Sequence, residues 1–291
     1  MPHGIDVIIL TFNKWEYTQF CLNGLRRTEC RPLRLIMVDN GSTDGTPEKL
    51  EEFSARAASD GIQTRIICNS ENVGAIAGRN QALEHIENDF VIFLDNDVVP
   101  VAGDWAGDLI AFLDNQPDAG AVSPKLIYPA EPFLIQCAGC DVAPTGRVNF
   151  RGRGEARNHA DFNRVKAVQA LITACMAVPA RTISEIGEFD PLFAPVQFED
   201  IDYCYRIRQS GKFLFYTPEV EMYHFENVTT SRTASLNSAY NTVKNGLKFK
   251  RKWKHVFSLE KGPSEQEMDW KDIPGVNIDE IDRSLFPGLT P

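Results

Sequence analysis

The sequence lacks a hydrophobic run long enough to cross a bilayer. Its longest mainly apolar stretch, Ala167–Val178, has twelve residues and includes Gln169 and Thr173, whereas a transmembrane helix needs about 20 apolar residues. We therefore do not expect a membrane-embedded polymer synthase. No signal-peptide pattern precedes Ile5, and the seven cysteines are scattered along the chain, so we expect a cytoplasmic protein with reduced thiols.

Glycine-rich phosphate loops and an excess of basic residues are also missing. Neither GxGxxG nor GxxxxGK[ST] occurs, which removes the main support for a dinucleotide-binding or P-loop protein. Acidic residues outnumber basic ones by 40 to 30, giving a net charge of −10. Proteins that bind nucleic acid are usually basic, so no nucleic-acid partner is expected. An anionic ligand would need a metal or a few local cations.

Two cysteines, Cys137 and Cys140, have the spacing of a redox or zinc pair. No second Cys/His pair follows at zinc-ribbon spacing, and the pair does not start a helix after a strand. We interpret both as ordinary core cysteines.

Strand-like and helix-like segments alternate through the first hundred residues. Four apolar runs predict buried strands, namely Ile5–Phe12, Leu33–Val38, Arg65–Cys68 and Phe90–Leu94. This alternation predicts an α/β fold with a Rossmann-like, mainly parallel twisted sheet and helices on both faces. Ligands bind such sheets outside the carboxyl ends of the strands.

Polar or acidic residues follow each of these four predicted strands. They are Asn13, then Asp39 to Ser42, then Asn69 and Asn72, and last Asp95-Asn96-Asp97. Because the strand ends meet at one edge, we expect these residues to form a site there. Two carboxylates two residues apart on an extended chain can converge on one Mg²⁺ or Mn²⁺ ion, whereas the alternative is a polar turn before a helix.

The second half of the sequence is less regular. The predicted segments are a helix at Trp105–Leu113, an extended segment at Gly120–Tyr128, a long loop at Asp141–Lys166, a buried strand at Val168–Val178, a helix at Glu199–Gln209, one or two strands within Phe213–Phe225 and an amphipathic helix at Ser235–Val256. The long loop is rich in arginine. It would either meet an anionic acceptor or be a solvated mobile loop, and the second interpretation is preferred.

Several short motifs appear in a fixed order between residue 5 and about residue 225. They are Val7–Asn13, Val38–Thr46, Asn72–Gly74 with Gly78–Asn80, Phe93–Asp97, Gly187–Asp190, Phe198–Asp202 and His224. In order and spacing, this set resembles the family 2 glycosyltransferases, which are inverting enzymes with the GT-A fold. The resemblance implies sugar transfer from a nucleotide-diphosphate sugar, most often linked to UDP or dTDP, with Mn²⁺ or Mg²⁺ as cofactor. The acceptor would be a saccharide or a lipid-linked molecule in cell-surface polysaccharide or glycoconjugate synthesis.

The resemblance also implies roles for individual residues. Asp200 matches the catalytic base, Asp97 the direct metal ligand and His224 a member of the metal shell. Asp95 would reach the ribose or the metal. The residues expected to bind the nucleotide sugar are Thr11, Asn13, Asp39, Asn72, Gly74, Arg79, Asp95 and Asn96. Among them, Asp39 would accept a hydrogen bond from the N–H of a uracil or thymine ring.

Structural roles compete with these assignments. Asp39 could simply begin a turn, Arg79 could be a solvated helix charge and His224 a core side chain. Asp200 lies where helices favour acids, and the positive helix end should favour its ionised form. Residues two apart do not share a helix face, so Asp202 should have a different task, an ion pair with Arg206.

We predict a GT-A catalytic domain over residues 1–230, with a nucleotide-binding half at about 1–100 and an acceptor-binding half at about 101–230. Residues 231–291 would form a helical extension with an acidic tail. Within 244–254 lie six basic residues, and the interleaved apolar ones are Leu247, Phe249, Trp253 and Phe257. This segment would either dock at the inner face of an anionic membrane or pack on the catalytic domain, neutralised by the tail; packing is preferred.

Two further functions remain open from the sequence. A sugar-nucleotide nucleotidyltransferase shares the sheet type and the need for a metal, but Thr11-Phe12-Asn13-Lys14-Trp15 stands where its glycine-rich loop should be. A non-catalytic module that binds sugar nucleotides is the other alternative.

Overall fold

The computed structural model describes residues 3–30, 32–101, 103–226, 228, 238–268 and 270–283. This part of the chain forms twelve strands and seven α-helices. The strands are β1 (Ile5–Thr11), β2 (Leu33–Asp39), β3 (Gln63–Cys68), β4 (Phe90–Asp95), β5 (Val98–Pro100), β6 (Ala119–Ile127), β7 (Ile135–Cys137), β8 (Cys140–Val142), β9 (Val148–Phe150), β10 (Lys166–Val168), β11 (Cys175–Pro179) and β12 (Phe213–His224). The helices are α1 (Trp15–Arg26), α2 (Thr46–Ser59), α3 (Ala75–Leu83), α4 (Trp105–Asn115), α5 (Ala180–Ile186), α6 (Glu199–Gln209) and α7 (Ser238–Phe257).

One large sheet carries the fold, with strand order β10-β12-β6-β11-β4-β1-β2-β3 and with β5 and β7 added at its sides. Strands β4, β1, β2 and β3 are parallel, as the alternating pattern predicts. The other half is mixed, because β11 runs antiparallel to both β4 and β6. The prediction of an α/β sheet with a C-terminal helix is therefore confirmed, and parallel pairing dominates only its first half.

The sheet core explains why the first four strands read as apolar runs. Every residue of β2 is buried, as are six of the seven in β1, because the helices cover both faces. Phe93 of β4 packs edge-on against Phe189, with ring centroids 5.1 Å apart, and Phe189 stacks on Tyr203 of α6 at 4.3 Å. These aromatic contacts fix α6 over the end of the sheet.

The arginine-rich segment 141–166 is not one long loop. Its first part pairs β8 with β9 in an antiparallel hairpin. Arg151 and Arg153 are buried, and each meets a carboxylate: Arg151 lies 3.4 Å from Asp141 and Arg153 2.9 Å from Glu226. The preferred interpretation of a solvated mobile loop is therefore wrong for these arginines. Three-residue strands with buried ion pairs leave no apolar period to detect.

The predicted continuous strand Val168–Val178 is also wrong. Strand β10 ends at Val168 and β11 begins at Cys175, because the chain between them turns to meet other strand ends. Ala170 forms an isolated bridge with Cys140, and the Ala174 carbonyl accepts a hydrogen bond from the Asp95 backbone N–H. The residues between Val168 and Cys175 are nearly as apolar as a buried strand, so composition alone could not distinguish this turn from a strand.

Helix α7 packs on the rest of the molecule through its aromatic residues. Phe249, Trp253 and Phe257 are buried, which confirms packing rather than membrane contact for these three. Among the described residues, no carboxylate of the acidic tail forms a salt bridge with α7, although Lys250 of α7 contributes to lowering the pKa of Glu265. Instead, Glu260 pairs with Arg208 of α6 and Glu265 with Arg147.

Some of the remaining expectations fall on described residues and others do not. The boundary at 230/231 and the helix start at Ser235 lie outside them, and the division into domains stays a prediction. All seven cysteines are free thiols, with Cys137 and Cys140 buried as expected. Among the helices described, none has both the length and the apolar character that a membrane span requires.

Candidate active site

A cleft of about 250 Å³ opens at the carboxyl ends of β1 and β4. Eight residues predicted for the site line it: Thr11, Asn72, Arg79, Asp95, Asn96, Asp97, Asp200 and His224. Asn13, Asp39 and Gly74 are not part of its lining. The edge that the strand ends were expected to form is therefore present as one concave surface.

Three possible metal ligands lie together in this cleft. Asp95, Asp97 and His224 each offer a ligand atom, and these atoms lie within 4.8 Å of one another. Pairing of β5 with β12 sets His224 opposite Val98, so that His224 Nε2 comes 3.3 Å from Asp97 Oδ1. Two carboxylates and one imidazole form a donor set suited to a divalent cation such as Mn²⁺.

The environment of His224 favours a positive charge at this place. Burial by itself would lower the pKa of His224, but the Asp97 carboxylate outweighs it and raises that pKa to about 9. The other ring nitrogen, Nδ1, lies 2.7 Å from Oε1 of Gln136, a fully buried residue of β7. Gln136 Oε1 accepts a hydrogen bond from His224 Nδ1–H, and this bond turns Nε2 towards the two carboxylates.

Arg79 connects the two acidic sides of the cleft. It is buried, and its guanidinium lies 3.0 Å from Asp95 Oδ1 and 2.9 Å from Glu199 Oε1. The alternative of a solvated helix charge is therefore wrong. Because Glu199 begins α6, this bridge ties the helix that carries Asp200 to the strand end that carries Asp95.

Asp200 is half-buried in the first turn of α6 and faces the cleft. Burial, followed by the neighbouring Glu199 carboxylate, raises the pKa of Asp200 to about 7. The expectation that the helix end favours the ionised form is thus wrong, since limited solvation and a like charge outweigh the helix dipole. A carboxyl group with a pKa near neutrality is suited to proton transfer.

Asp202 has the separate task that its helix position predicts. It is fully buried and lies 3.1 Å from Arg206, which confirms the expected ion pair. Trp253 Nε1 of α7 also donates a hydrogen bond to Asp202, at 2.7 Å. This carboxylate therefore fastens α7 to α6.

Asp39 and Asn13 both hold the turn after β2. Asp39 Oδ2 accepts a hydrogen bond from the Ser42 N–H, and Asn13 Oδ1 accepts one from the Thr43 N–H. The other oxygen of Asp39, Oδ1, is buried and has no partner within the described part of the chain. An unpaired buried acceptor calls for an explanation, and a ligand N–H is one.

The remaining predicted residues are engaged inside the protein. Asn96 Nδ2 donates to Thr18 Oγ1 at 2.8 Å, and Thr18 is also 2.9 Å from the Thr11 hydroxyl. Gly74 has a φ of +89°, and a Cβ there would come within 3.0 Å of Pro195. The Gly74 N–H donates to Asn72 Oδ1 at 2.9 Å. These contacts shape the loops around the cleft.

Sequence reasoning missed two residues with clear contacts here. Glu199 was visible as an acid at a helix start within the motif Phe198–Asp202, and nothing suggested its bond to Arg79. Gln136 carries no signal at all, because a lone glutamine on a three-residue strand belongs to no motif. Both become visible only when distant segments are brought together.

Comparison with known proteins identifies the family. The model named Glycosyl transferase family 2 matches residues 6–161, which is more than half of the chain. The chain belongs to glycosyl transferase family 2. The resemblance stated from the motifs is thereby confirmed, and membership of this family decides against the nucleotidyltransferase alternative.

Two curated relatives of this family 2 chain show different extents of similarity. Uncharacterized protein y4gI of Sinorhizobium fredii is 30% identical over 244 residues, which cover 80% of the chain but only 26% of that protein. The N-acetylglucosaminyl-diphospho-decaprenol L-rhamnosyltransferase of Mycobacterium tuberculosis is 26% identical over 255 residues, covering 80% of the chain and 79% of the enzyme. The chain thus spans about a quarter of the first relative and most of the second.

Solved structures support the fold. The crystal structure of GalNAc-T7 with UDP, GalNAc and Mn²⁺ aligns with a TM-score of 0.70 and 16% identity, covering 88% of this chain and 50% of that one. At this identity the likeness concerns the fold alone. The GT-A prediction for the family 2 chain is confirmed.

Proposed function

We propose that this family 2 chain is a metal-dependent inverting glycosyltransferase that moves a sugar from a nucleotide-diphosphate sugar to an acceptor hydroxyl. One observation carries the proposal: the possible metal ligands Asp95, Asp97 and His224 share a single cleft with the Asp200 carboxyl. The first is suited to a cation that binds a diphosphate, and the second to accepting a proton. Family membership supports the same activity.

The donor atoms fit Mn²⁺ or Mg²⁺. Asp97 and His224 are mostly buried and Asp95 is partly exposed, so the group offers two carboxylates and an imidazole at the wall of the cleft. When bound, the cation would neutralise charge that develops on the diphosphate leaving group. Mn²⁺ in the GalNAc-T7 structure is consistent with this choice.

Asp200 would act as the base. Once ionised, it accepts the proton of the acceptor hydroxyl while that oxygen forms a bond to the anomeric carbon. The bond from this carbon to the diphosphate oxygen breaks on the opposite face, and the electron pair leaves with the nucleoside diphosphate. A single displacement of this kind inverts the configuration.

The unpaired Asp39 oxygen supports a UDP- or dTDP-linked donor, because uracil and thymine rings each offer an N–H to an acceptor-only carboxylate. For the acceptor we propose a saccharide or a lipid-linked molecule. The name of the mycobacterial relative, which describes a sugar on diphospho-decaprenol, supports the lipid-linked form and a role in cell-surface synthesis.

A donor panel tests this function. Purified protein is incubated with UDP-, dTDP- and GDP-sugars with and without Mn²⁺, and release of the nucleoside diphosphate and the anomeric configuration of the product are followed by NMR. We expect metal-dependent turnover of one donor with inversion, and loss of metal-dependent donor binding in Asp97→Ala. Donor binding without release of the nucleoside diphosphate from any donor would favour the non-catalytic module, and retention of configuration would contradict the inverting mechanism.

A further inference from the structure

Helix α7 has an outward face that the catalytic chemistry does not use. Tyr240, Val243 and Leu247 lie on it at spacings of three and four residues, and 62%, 65% and 60% of these residues are exposed. Apolar side chains in one line on a helix are normally turned inwards. Here the buried aromatic residues of the same helix occupy the opposite side, so this outward line is a second apolar face.

Cations border this apolar line. Lys244, Arg251 and Lys254 belong to the same side of the helix, and none of them forms an ion pair with a carboxylate in the described part of the chain. By contrast, two other lysines of α7 are used internally: Lys252 lies 2.7 Å from Asp190, and Lys248 donates to the Leu192 carbonyl at 2.6 Å. The outward cations form a local exception in a protein of net charge −10.

The inward side of α7 touches a wall of the cleft. The Asn245 side-chain amide donates hydrogen bonds to the carbonyls of Val196, at 2.8 Å, and Gln197, at 3.1 Å. Val196 and Gln197 both line the cleft. The outward face is therefore separated from the cleft wall by the width of one helix, about 10 Å.

We propose that this outward face of α7 docks the protein on an anionic lipid bilayer. Exposed apolar side chains can enter the boundary between headgroups and acyl chains while neighbouring lysine and arginine side chains reach lipid phosphates. A second copy of the chain fits less well, because a two-fold contact would set the cations of one α7 against those of the other. Docking here would bring the cleft close to acceptors held in the membrane.

Vesicle flotation with the full chain tests the proposal without any donor or turnover. Phosphatidylcholine vesicles with and without phosphatidylglycerol are compared at low and high salt. We expect binding only when phosphatidylglycerol is present, and its loss at high salt as surface charge is screened. Absence of binding to the anionic vesicles at low salt overturns the proposal.

Matched variants locate the surface. Lys244→Gln with Arg251→Gln should weaken vesicle binding by about fivefold for each charge removed, whereas Arg56→Gln on the exposed side of α2 should not. Val243→Ser with Leu247→Ser should weaken it by at least about tenfold, and Phe213→Ser, which changes an exposed apolar residue elsewhere, should leave it unchanged. Circular dichroism and thermal unfolding confirm that each variant is folded.

Two results would contradict this location. Equal losses in the α7 variants and in their controls would mean that binding is not centred on this face. A wild-type dimer in light scattering that Leu247→Ser converts to a monomer would assign the face to self-association instead. Because neither readout uses sugar transfer, failure of the proposed enzyme function would leave this test intact.

Discussion

At the scale of single residues, Asp200 is the most direct test of the chemistry. Asp200→Asn keeps the shape of the side chain but removes its ability to accept a proton. We expect donor affinity to be retained and turnover to fall by about 10²–10⁴-fold. Donor binding is measured by calorimetry and turnover by release of the nucleoside diphosphate. A variant with wild-type turnover would show that Asp200 is not the base.

The raised pKa of Asp200 predicts a pH dependence. Because only the ionised form accepts a proton, kcat/KM should rise with pH and level off above the pKa of about 7. The sign follows from the direction of the shift: protonation on the acidic side of pH 7 removes the base. Initial rates measured between about pH 5.5 and about pH 9, a range that brackets the pKa of Asp200, give this profile. A profile that is flat through pH 7 would contradict it.

Gln136 is predicted to set the orientation of His224. Gln136→Leu removes the acceptor for Nδ1–H in a space of similar size, and we expect Mn²⁺ affinity to fall by about 10–100-fold. The affinity is measured by titrating the protein with Mn²⁺ and following the electron paramagnetic resonance signal of the free ion, which requires no turnover. Gln136→Glu keeps an acceptor and should restore most of the affinity. Unchanged binding in the leucine variant would reduce Gln136 to a packing role.

At the scale of elements, the buried Trp253 is one of the α7 residues that hold this helix on α6, beside Phe249 and Lys252. Trp253 is 3% exposed and donates to the buried Asp202, so Trp253→Ala should lower the free energy of unfolding by about 3–5 kcal/mol. Leu247→Ala on the outward face of the same helix should change it by less than about 0.5 kcal/mol. Urea denaturation measures both. Similar losses in the two variants would mean that Trp253 is no more important than Leu247 for the packing of α7, which would contradict this arrangement of the helix.

At the scale of the whole molecule, Arg153 joins three distant segments. Its side chain lies over Trp270 at 4.3 Å, forms two hydrogen bonds with Glu226 and donates to the Lys271 carbonyl at 2.9 Å. It therefore links the β8–β9 hairpin, the residues after β12 and the C-terminal tail. Since Glu226 follows His224 by two residues and lines the cleft, this link also supports the site.

Arg153→Met should therefore be strongly destabilising. Without the arginine, the Glu226 carboxylate keeps the hydrogen bond from the Tyr128 hydroxyl, at 3.0 Å, but loses the cation that balances its charge. We therefore expect a loss of about 3–5 kcal/mol in the free energy of unfolding. Adding Glu226→Gln should recover part of that loss, because the unpaired charge is removed. Thermal and urea unfolding of both variants measure this. No recovery would show that the ring contacts of Arg153 dominate.

The sequence by itself determined the parallel half of the sheet and pointed to eight of the residues that line the cleft. Buried strands must be apolar and strand ends must be polar, so these features leave a local pattern that can be read, as with Asp95 and Asp97. The family motifs added Asp200 and His224. Each also lies at a recognisable place in the local pattern, Asp200 at the start of a helix and His224 at the end of a strand.

Only the tertiary structure decided how these residues interact. Gln136 meets His224 across 88 positions, Arg79 meets Glu199 across 120, and Arg153 is buried because Glu226 and Trp270 surround it. The pKa of Asp200 likewise depends on burial and on Glu199, against the direction that its helix position implied. Such effects arise from solvent exclusion and from contacts between distant segments, and neither leaves a periodic signal in the chain.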